Sequence, residues 1–257
     1  MSKKDVEMKE EKKEEIKKDP VDEWAIDEED LSEEDKHLKD NLDMLVERLQ
    51  DTNIELQKTA LNAIKNEVRD ATSSMTSVPK PLKFLKPHYS KIKEIYEQVK
   101  DEGFKKAFAD VLSVLAMTMS EPNSRESLSF VLKGTHQEVT SWGHEYLKCL
   151  SGEIADEYAE LSEKQENTDN LLFLVEVIAP YNMQHNSEPE AVDLLMEVEQ
   201  LPKIVEFTNE NNYSKVCKYL EACSYYSADA EEMIQTLETA YKVYKKNNRF
   251  PEALRIA

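Results

Sequence analysis

Glycine is scarce in this chain: 257 residues hold only four, at positions 103, 134, 143 and 152. That removes the usual material for tight hairpins, phosphate-cradling loops and barrel corners. Cysteine is scarcer still. Cys149, Cys217 and Cys223 are an odd number set in helix-like sequence, which suits a reducing compartment better than a disulfide framework. No apolar run approaches the roughly 18 residues of a membrane-spanning helix, and the Lys- and Glu-rich start has no apolar core for a signal peptide. The expectation is a soluble protein of the cytoplasm and nucleus with no membrane partner. Positive charge is also in deficit, with 33 Lys and Arg against 53 Asp and Glu and a formal net charge of −20. Such a balance argues against nucleic acid as a partner, because a phosphate backbone rewards clustered Lys and Arg.

What is present reads as helix. A glycine-poor chain rich in Glu, Lys, Leu and Ala is expected to be all-α, and 40% hydrophobic residues suffice for a sizeable core. Residues 1–30 are dominated by Lys, Glu and Asp around a lone Trp24, too polar to offset ordering entropy, and are expected to form a disordered tail. A partner-binding motif at residues 21–26, docking through Trp24 and Ile26, is the competing reading.

From residue 31 the period changes. Ser32 and the acids after it signal a helix start, with Leu38, Leu42, Leu45 and Leu49 on one face. Asn53 caps a second helix, whose stripe is Leu56, Ala60, Ile64 and Val68, so the pair is expected to form an antiparallel hairpin. Further on, residues 104–120 are apolar nearly all round, and one long helix is expected over 136–161 with Val139, Trp142, Tyr146, Cys149 and Leu150 inward. Pro180 is expected to stop the next helix, and Ser187 with Pro189 and Glu190 to restart it. Tyr213, Val216, Tyr219 and Leu220 make a later stripe, Met233, Leu237, Ala240 and Tyr244 another, and a last helix begins near Phe250. Helices of about 12 to 20 residues fit stacked antiparallel pairs in a solenoid-like array, although no clean repeat is found at one period. The abrupt apolar end at Leu254 and Ile256 is read as a chain that continues in nature or was cut short.

The most informative stretch runs from Ala71 to Lys93. It contains no acidic residue, yet carries Lys80, Lys83, Lys86, Lys91 and Lys93 together with Pro79, Pro81 and Pro87. Such segregation makes a local positive potential, either a binding face or a helix-entry device. The prolines are expected to forbid continuous helix until about His88, which makes the segment a connector.

Catalytic raw material is thin. His136, His144 and Cys149 fall in one expected helix, but no second cysteine or carboxylate stands at zinc spacing and there is no HExxH. Cys217 and Cys223 lie six apart, on different helix faces, and read as small apolar fillers. His88 and His185, beside Tyr89 and Tyr181, read as polar surface residues. There is no phosphate loop, GxSxG or GxGxxG, and glutamates are too abundant for any pair to stand out as acid and base. No enzyme, cofactor or metal is expected.

Several strings are recognisable as wholes: LSEEDKHLKDNLDMLVERLQD, SSMTSVPKPLKFLKPHYSKIKEIYE, DVLSVLAMTMS, SWGHEYLKCLSGEIADEY, PYNMQHNSEPEAVDLLMEVEQ and RFPEALRIA. They closely resemble the N-terminal region of the large non-ATPase scaffold subunits of the 26S proteasome base, the regulatory subunit 2 family, from about residue 31 to 257. The resemblance implies a non-catalytic scaffold that supports ATP-dependent degradation of ubiquitinated proteins. It implies ATPase-ring and other base subunits as partners, and docking of ubiquitin, ubiquitin-like shuttle factors and a deubiquitinase. In that family those docking sites belong to a toroid of glycine- and alanine-rich repeats. This chain matches only the helical N-terminal arm, so no ubiquitin-contacting residue carries over to it. On that reading Lys80, Lys83 and Lys86 meet an acidic partner surface, or else pair with the chain's own carboxylates. A generic helical-repeat adaptor outside the proteasome, and more distantly a helical metal-dependent hydrolase, are the alternative classes.

Overall fold

In the computed structural model, residues 31–72, 78–227 and 229–257 are described; the expected tail and its Trp24 and Ile26 motif lie outside them. Among the described residues the fold is all-α, with no strand. The helices are α1 (Glu33–Arg48), α2 (Ile54–Thr72), α3 (Lys80–Leu85), α4 (Tyr89–Gln98), α5 (Glu102–Met119), α6 (Glu126–Val131) and α7 (His144–Glu163). They continue with α8 (Asp169–Gln184), α9 (Glu188–Glu197), α10 (Ile204–Phe207), α11 (Tyr213–Ser224), α12 (Ala230–Lys246) and α13 (Phe250–Ile256). Packing is largely between near neighbours: α1 with α2 and α3, α2 with α5, α5 with α6 and α7, α7 with α8 and α9, α9 with α11, α11 with α12, α12 with α13. That is the solenoid-like stack, and one continuous apolar cluster runs through it from Leu42 to Ala253.

Local chemistry explains the helix starts. Ser32 Oγ accepts from the Asp35 N–H at 3.2 Å, Asn53 Oδ1 from Glu55 at 3.0 Å, Asp101 Oδ1 from Phe104 at 2.7 Å and Asp229 Oδ2 from Glu232 at 3.3 Å. The ends are less usual. Gln165, Asn186, Glu199 and Asn248 all follow helices with left-handed φ between 54° and 62°. After each, the next N–H reaches back to a last-turn carbonyl: Glu166 to Leu161, Ser187 to Asn182, Gln200 to Leu195, Arg249 to Tyr244, at 2.8 to 3.0 Å. These are glycine-type helix stops built without glycine.

Five expectations need correction. Pro79, Pro81 and Pro87 do not hold the chain out of helix until His88. Pro79 is the extended N-cap of α3, Pro81 sits in its first turn, and Pro87 lies early in a 3₁₀ turn, Lys86–His88. Early helix positions donate no intrahelical N–H, so proline there starts a helix instead of breaking it. Pro180 likewise lies inside α8, because Ala179, Asn182 and Met183 are buried around it and tertiary packing outweighs one lost ladder bond. The expected long helix over 136–161 is split. Val139–Trp142 is a 3₁₀ turn, and Gly143 at φ 95°, ψ 169° occupies a region that other residues avoid, so α7 starts only at His144. On α2, Leu56 is 45% exposed, and Leu61 joins Ala60, Ile64 and Val68 in the buried face instead. On α12, Met233 faces solvent, and the buried face is Thr236, Thr239, Ala240, Val243 and Tyr244.

Candidate protein-interaction site

The lysine-rich segment is built on α3, the 3₁₀ turn after it, and α4. Pro81, Leu82, Phe84 and Leu85 are buried, with α3 packed on α1 and α2. That leaves Lys80, Lys83 and Lys86 three residues apart on the outer side, where side chains at i and i+3 line up. Lys80 and Lys86 are exposed and Lys83 is half-buried.

The five lysines have different fates. Lys80 Nζ lies 2.6 Å from Asp35 Oδ2 in the first turn of α1. That contact, with a smaller contribution from Ser32, holds the Asp35 carboxyl below the usual carboxylate range. Lys93 Nζ reaches both Glu126 oxygens, at 3.0 and 3.1 Å, and sits 4.6 Å from the Tyr89 ring centre. The Tyr89 hydroxyl also donates to Glu126, and burial first, then that carboxylate, pushes the phenol well above its ordinary range. Among the described residues, Lys83 and Lys91 make no ion pair with a carboxylate. Between them His88 Nε2 meets Asp43 Oδ1 at 2.7 Å, tying this segment to α1.

The residues considered for chemistry are dispersed. His136 lies outside α7 and packs its ring 5.6 Å from Phe173. His144 heads α7, with Nε2 3.5 Å from Glu190 Oε1. Cys149 Sγ is 3.8 Å from Glu153 Oε1, and burial, helped by that carboxylate, pushes the thiol up to about 11. Cys217 is buried against the Ala240 carbonyl at 3.7 Å and is pushed up by burial to about 12. Burial raises the Cys223 thiol as well. Thiols held protonated in this way are poor nucleophiles and poor ligands. His185 stacks on Tyr181 at 3.8 Å. Among the described residues, no three His, Cys, Asp or Glu side chains group as a metal site.

Sequence inspection missed the ties that join one helix to another across the stack. Glu138 receives Lys65 and Arg69, the latter at 2.6 Å, while the Arg69 guanidinium lies 5.2 Å from the Trp142 ring centre. Lys65 chiefly, with Arg69, holds the Glu138 carboxyl below its usual range. Arg125 bridges Glu157 and Glu160 of α7. Lys246 Nζ donates to the carbonyls of Val205, Glu206 and Thr208 at 2.7 to 3.0 Å, closing the end of α10. Each tie joins residues tens of positions apart, so no local pattern announces it. Together they tie helices that are distant in the chain, while Lys80 and Lys93 are fixed at the two ends of the lysine row by Asp35 and Glu126.

Residues 42–257 match the family model described as the RPN1 N-terminal domain. The chain is 48% identical over 220 residues to 26S proteasome non-ATPase regulatory subunit 2 homolog A of Arabidopsis thaliana, covering 86% of this chain and 25% of that protein. It is 48% identical over 220 residues to 26S proteasome non-ATPase regulatory subunit 2 of Dictyostelium discoideum, covering 86% and 24%. It is 41% identical over 220 residues to 26S proteasome regulatory subunit rpn1 of Schizosaccharomyces pombe, covering 86% and 25%. The chain thus spans about a quarter of the length of the curated relatives it matches. With a match that extends from within α1 to α13, the chain belongs to the RPN1 N-terminal domain family.

Proposed function

We propose that this chain is the helical N-terminal arm of a non-catalytic scaffold subunit of the 26S proteasome base, with residues 31–257 forming the arm. The observation that carries the reading is the 48% identity over 220 residues to subunits named as proteasome non-ATPase regulatory subunit 2. The arm supports ATP-dependent degradation of ubiquitinated proteins by binding other subunits, among them the ATPase ring, and acts in the cytoplasm and nucleus. Ubiquitin, shuttle factors and a deubiquitinase are partners of the full-length subunit, at sites outside this chain.

A scaffold arm works by holding a surface still. Ordering a recognition surface in advance lowers the entropy that binding must overcome, and the ion-pair ties and the buried Trp142, Tyr146 and Phe108 support a stiff stack. Lys83, Lys86 and Lys91 are the residues proposed to meet an acidic partner face. Lys80 and Lys93 act from behind, anchoring the row to Asp35 and Glu126.

The test is charge reversal. A subunit carrying Lys83→Glu, Lys86→Glu and Lys91→Glu is expected to co-purify with the ATPase ring several-fold less than the wild type, most clearly in low salt. Unchanged co-purification, with the helical circular dichroism intact, would remove the row from the reading.

A further inference from the structure

Gly152 stands well inside α7, and packing within the chain gives no reason for it. Gly143 is required by its φ of 95°, and at Gly134 an added Cβ would collide with the Asp110 carboxylate. Gly152 has neither constraint. It lies in the interior of a 20-residue helix, where glycine is the least favourable choice after proline. It is exposed, and apart from its own helix backbone nothing in the described chain comes within 4 Å of where its Cβ would stand. What a glycine offers at such a position is room for another backbone to come close.

The surroundings form a groove. Ser151, Gly152 and Ala155 of α7, with the buried Leu194 of α9, line a cavity of about 400 Å³ between two helices that pack directly on each other. Side chains this small let a third helix settle against the pair at short distance, and stacking one helix on a neighbouring pair is how the rest of the molecule is built. Ser151 Oγ is buried at this surface without a hydrogen-bond partner, so a polar group is left short there.

Charge says what kind of helix fits. Lys148 and Asp156 flank the small residues on α7, and Glu190, Asp193 and Glu197 line the α9 side, one cation against four carboxylates. Among the described residues Asp156 and Glu197 make no ion pair, Asp193 accepts from the uncharged Tyr219 hydroxyl at 2.7 Å, and Glu190 meets His144 at 3.5 Å. We propose that the α7–α9 groove is the docking site for a helix of another protein, one that crosses α7 at Gly152 and sets a Lys or Arg among Asp156, Asp193 and Glu197. An acidic partner is repelled here and drawn to the lysine row, so the two faces select partners of opposite charge. The inference does not rest on the lysine row, and its test needs no proteasome subunit.

The test is fluorescence anisotropy of the 257-residue chain with a labelled alanine-based peptide of about 20 residues, long enough to be helical in water, with arginines along one face. The expected result is saturable binding, weakened several-fold by Gly152→Leu, which leaves the net charge unchanged, and by Asp193→Asn combined with Glu197→Gln. Removing two exposed carboxylates from α4, Glu94→Gln with Glu97→Gln, should leave binding as it was. In the free chain Gly152→Ala should raise the thermal midpoint, since a methyl there meets no obstacle and favours helix. Absence of saturable binding would overturn the proposal, as would undiminished binding by a Gly152→Leu chain whose circular dichroism is intact. Should that variant disturb the fold, equal weakening by the groove pair and the α4 pair would overturn it instead. A midpoint lowered by Gly152→Ala would do the same, because the fold itself would then need the glycine.

Discussion

Glu153 Oε2 accepts a hydrogen bond from the backbone N–H of Leu128 at 2.7 Å, so α6 is capped by a side chain from α7. The residue before α6, Arg125, has left-handed φ and caps nothing itself, its guanidinium being committed to Glu157 and Glu160. α6 therefore depends on α7 for its start. Glu153→Ala is expected to destabilise the fold by about 1 to 2 kcal/mol, the usual cost of losing an N-cap. Glu153→Gln, which keeps an acceptor oxygen, should cost less. Denaturant titration of the two variants checks the order.

The same carboxylate gives a pH dependence. Burial lifts the Glu153 carboxyl above the usual carboxylate range, outweighing the hydrogen bonds from Leu128 and Cys149 that oppose it. The folded state therefore keeps this proton to higher pH than the unfolded chain does. Its contribution to stability is complete below the unfolded pKa and is lost as pH rises through the folded one. Glu153→Gln should flatten that part of the stability–pH profile, measured from about pH 4 to 7 by thermal melts. A profile unchanged by the substitution would contradict the assignment.

Lys246 offers a sharper structural test. Its ammonium closes three carbonyls at the end of α10. Lys246→Met keeps the stem and removes the donors, with an expected loss of about 1 to 2 kcal/mol, moderated because water can reach the freed oxygens. Lys246→Gln should be nearly as costly. Amide exchange at residues 204–208 should speed up in both.

Backbone geometry predicts opposite signs at two positions. Gly143→Ala places a side chain at φ 95°, ψ 169°, and should cost about 1 to 3 kcal/mol. Glu199→Gly relieves an exposed left-handed residue at φ 54° and should stabilise by up to about 1 kcal/mol. Chemical denaturation midpoints decide both.

The helices whose signals are local were legible in the sequence: Ser32 and Asn53 cap as their positions imply, and Leu42, Leu45 and Leu49 are buried as their spacing requires. Position relative to the helix start was not legible for proline. The same residue that breaks a helix interior is tolerated at the beginning of α3, and Pro180 is carried by the packing of Ala179, Asn182 and Met183. The face of α2 was drawn slightly off: Leu56, in the first turn, is exposed, while Leu61 meets the core. The lysine row was visible as composition. Which lysines are tied was not, since Asp35 and Glu126 lie 45 and 33 residues away from Lys80 and Lys93.

The central claim is assembly. The most direct measurement is affinity purification of the natural polypeptide that carries this sequence, tagged at its N-terminus, followed by quantitative mass spectrometry and sedimentation. The expected result is stoichiometric recovery of proteasomal ATPase subunits in a particle far larger than the 29.8 kDa chain. Recovery without any proteasome subunit would contradict the account.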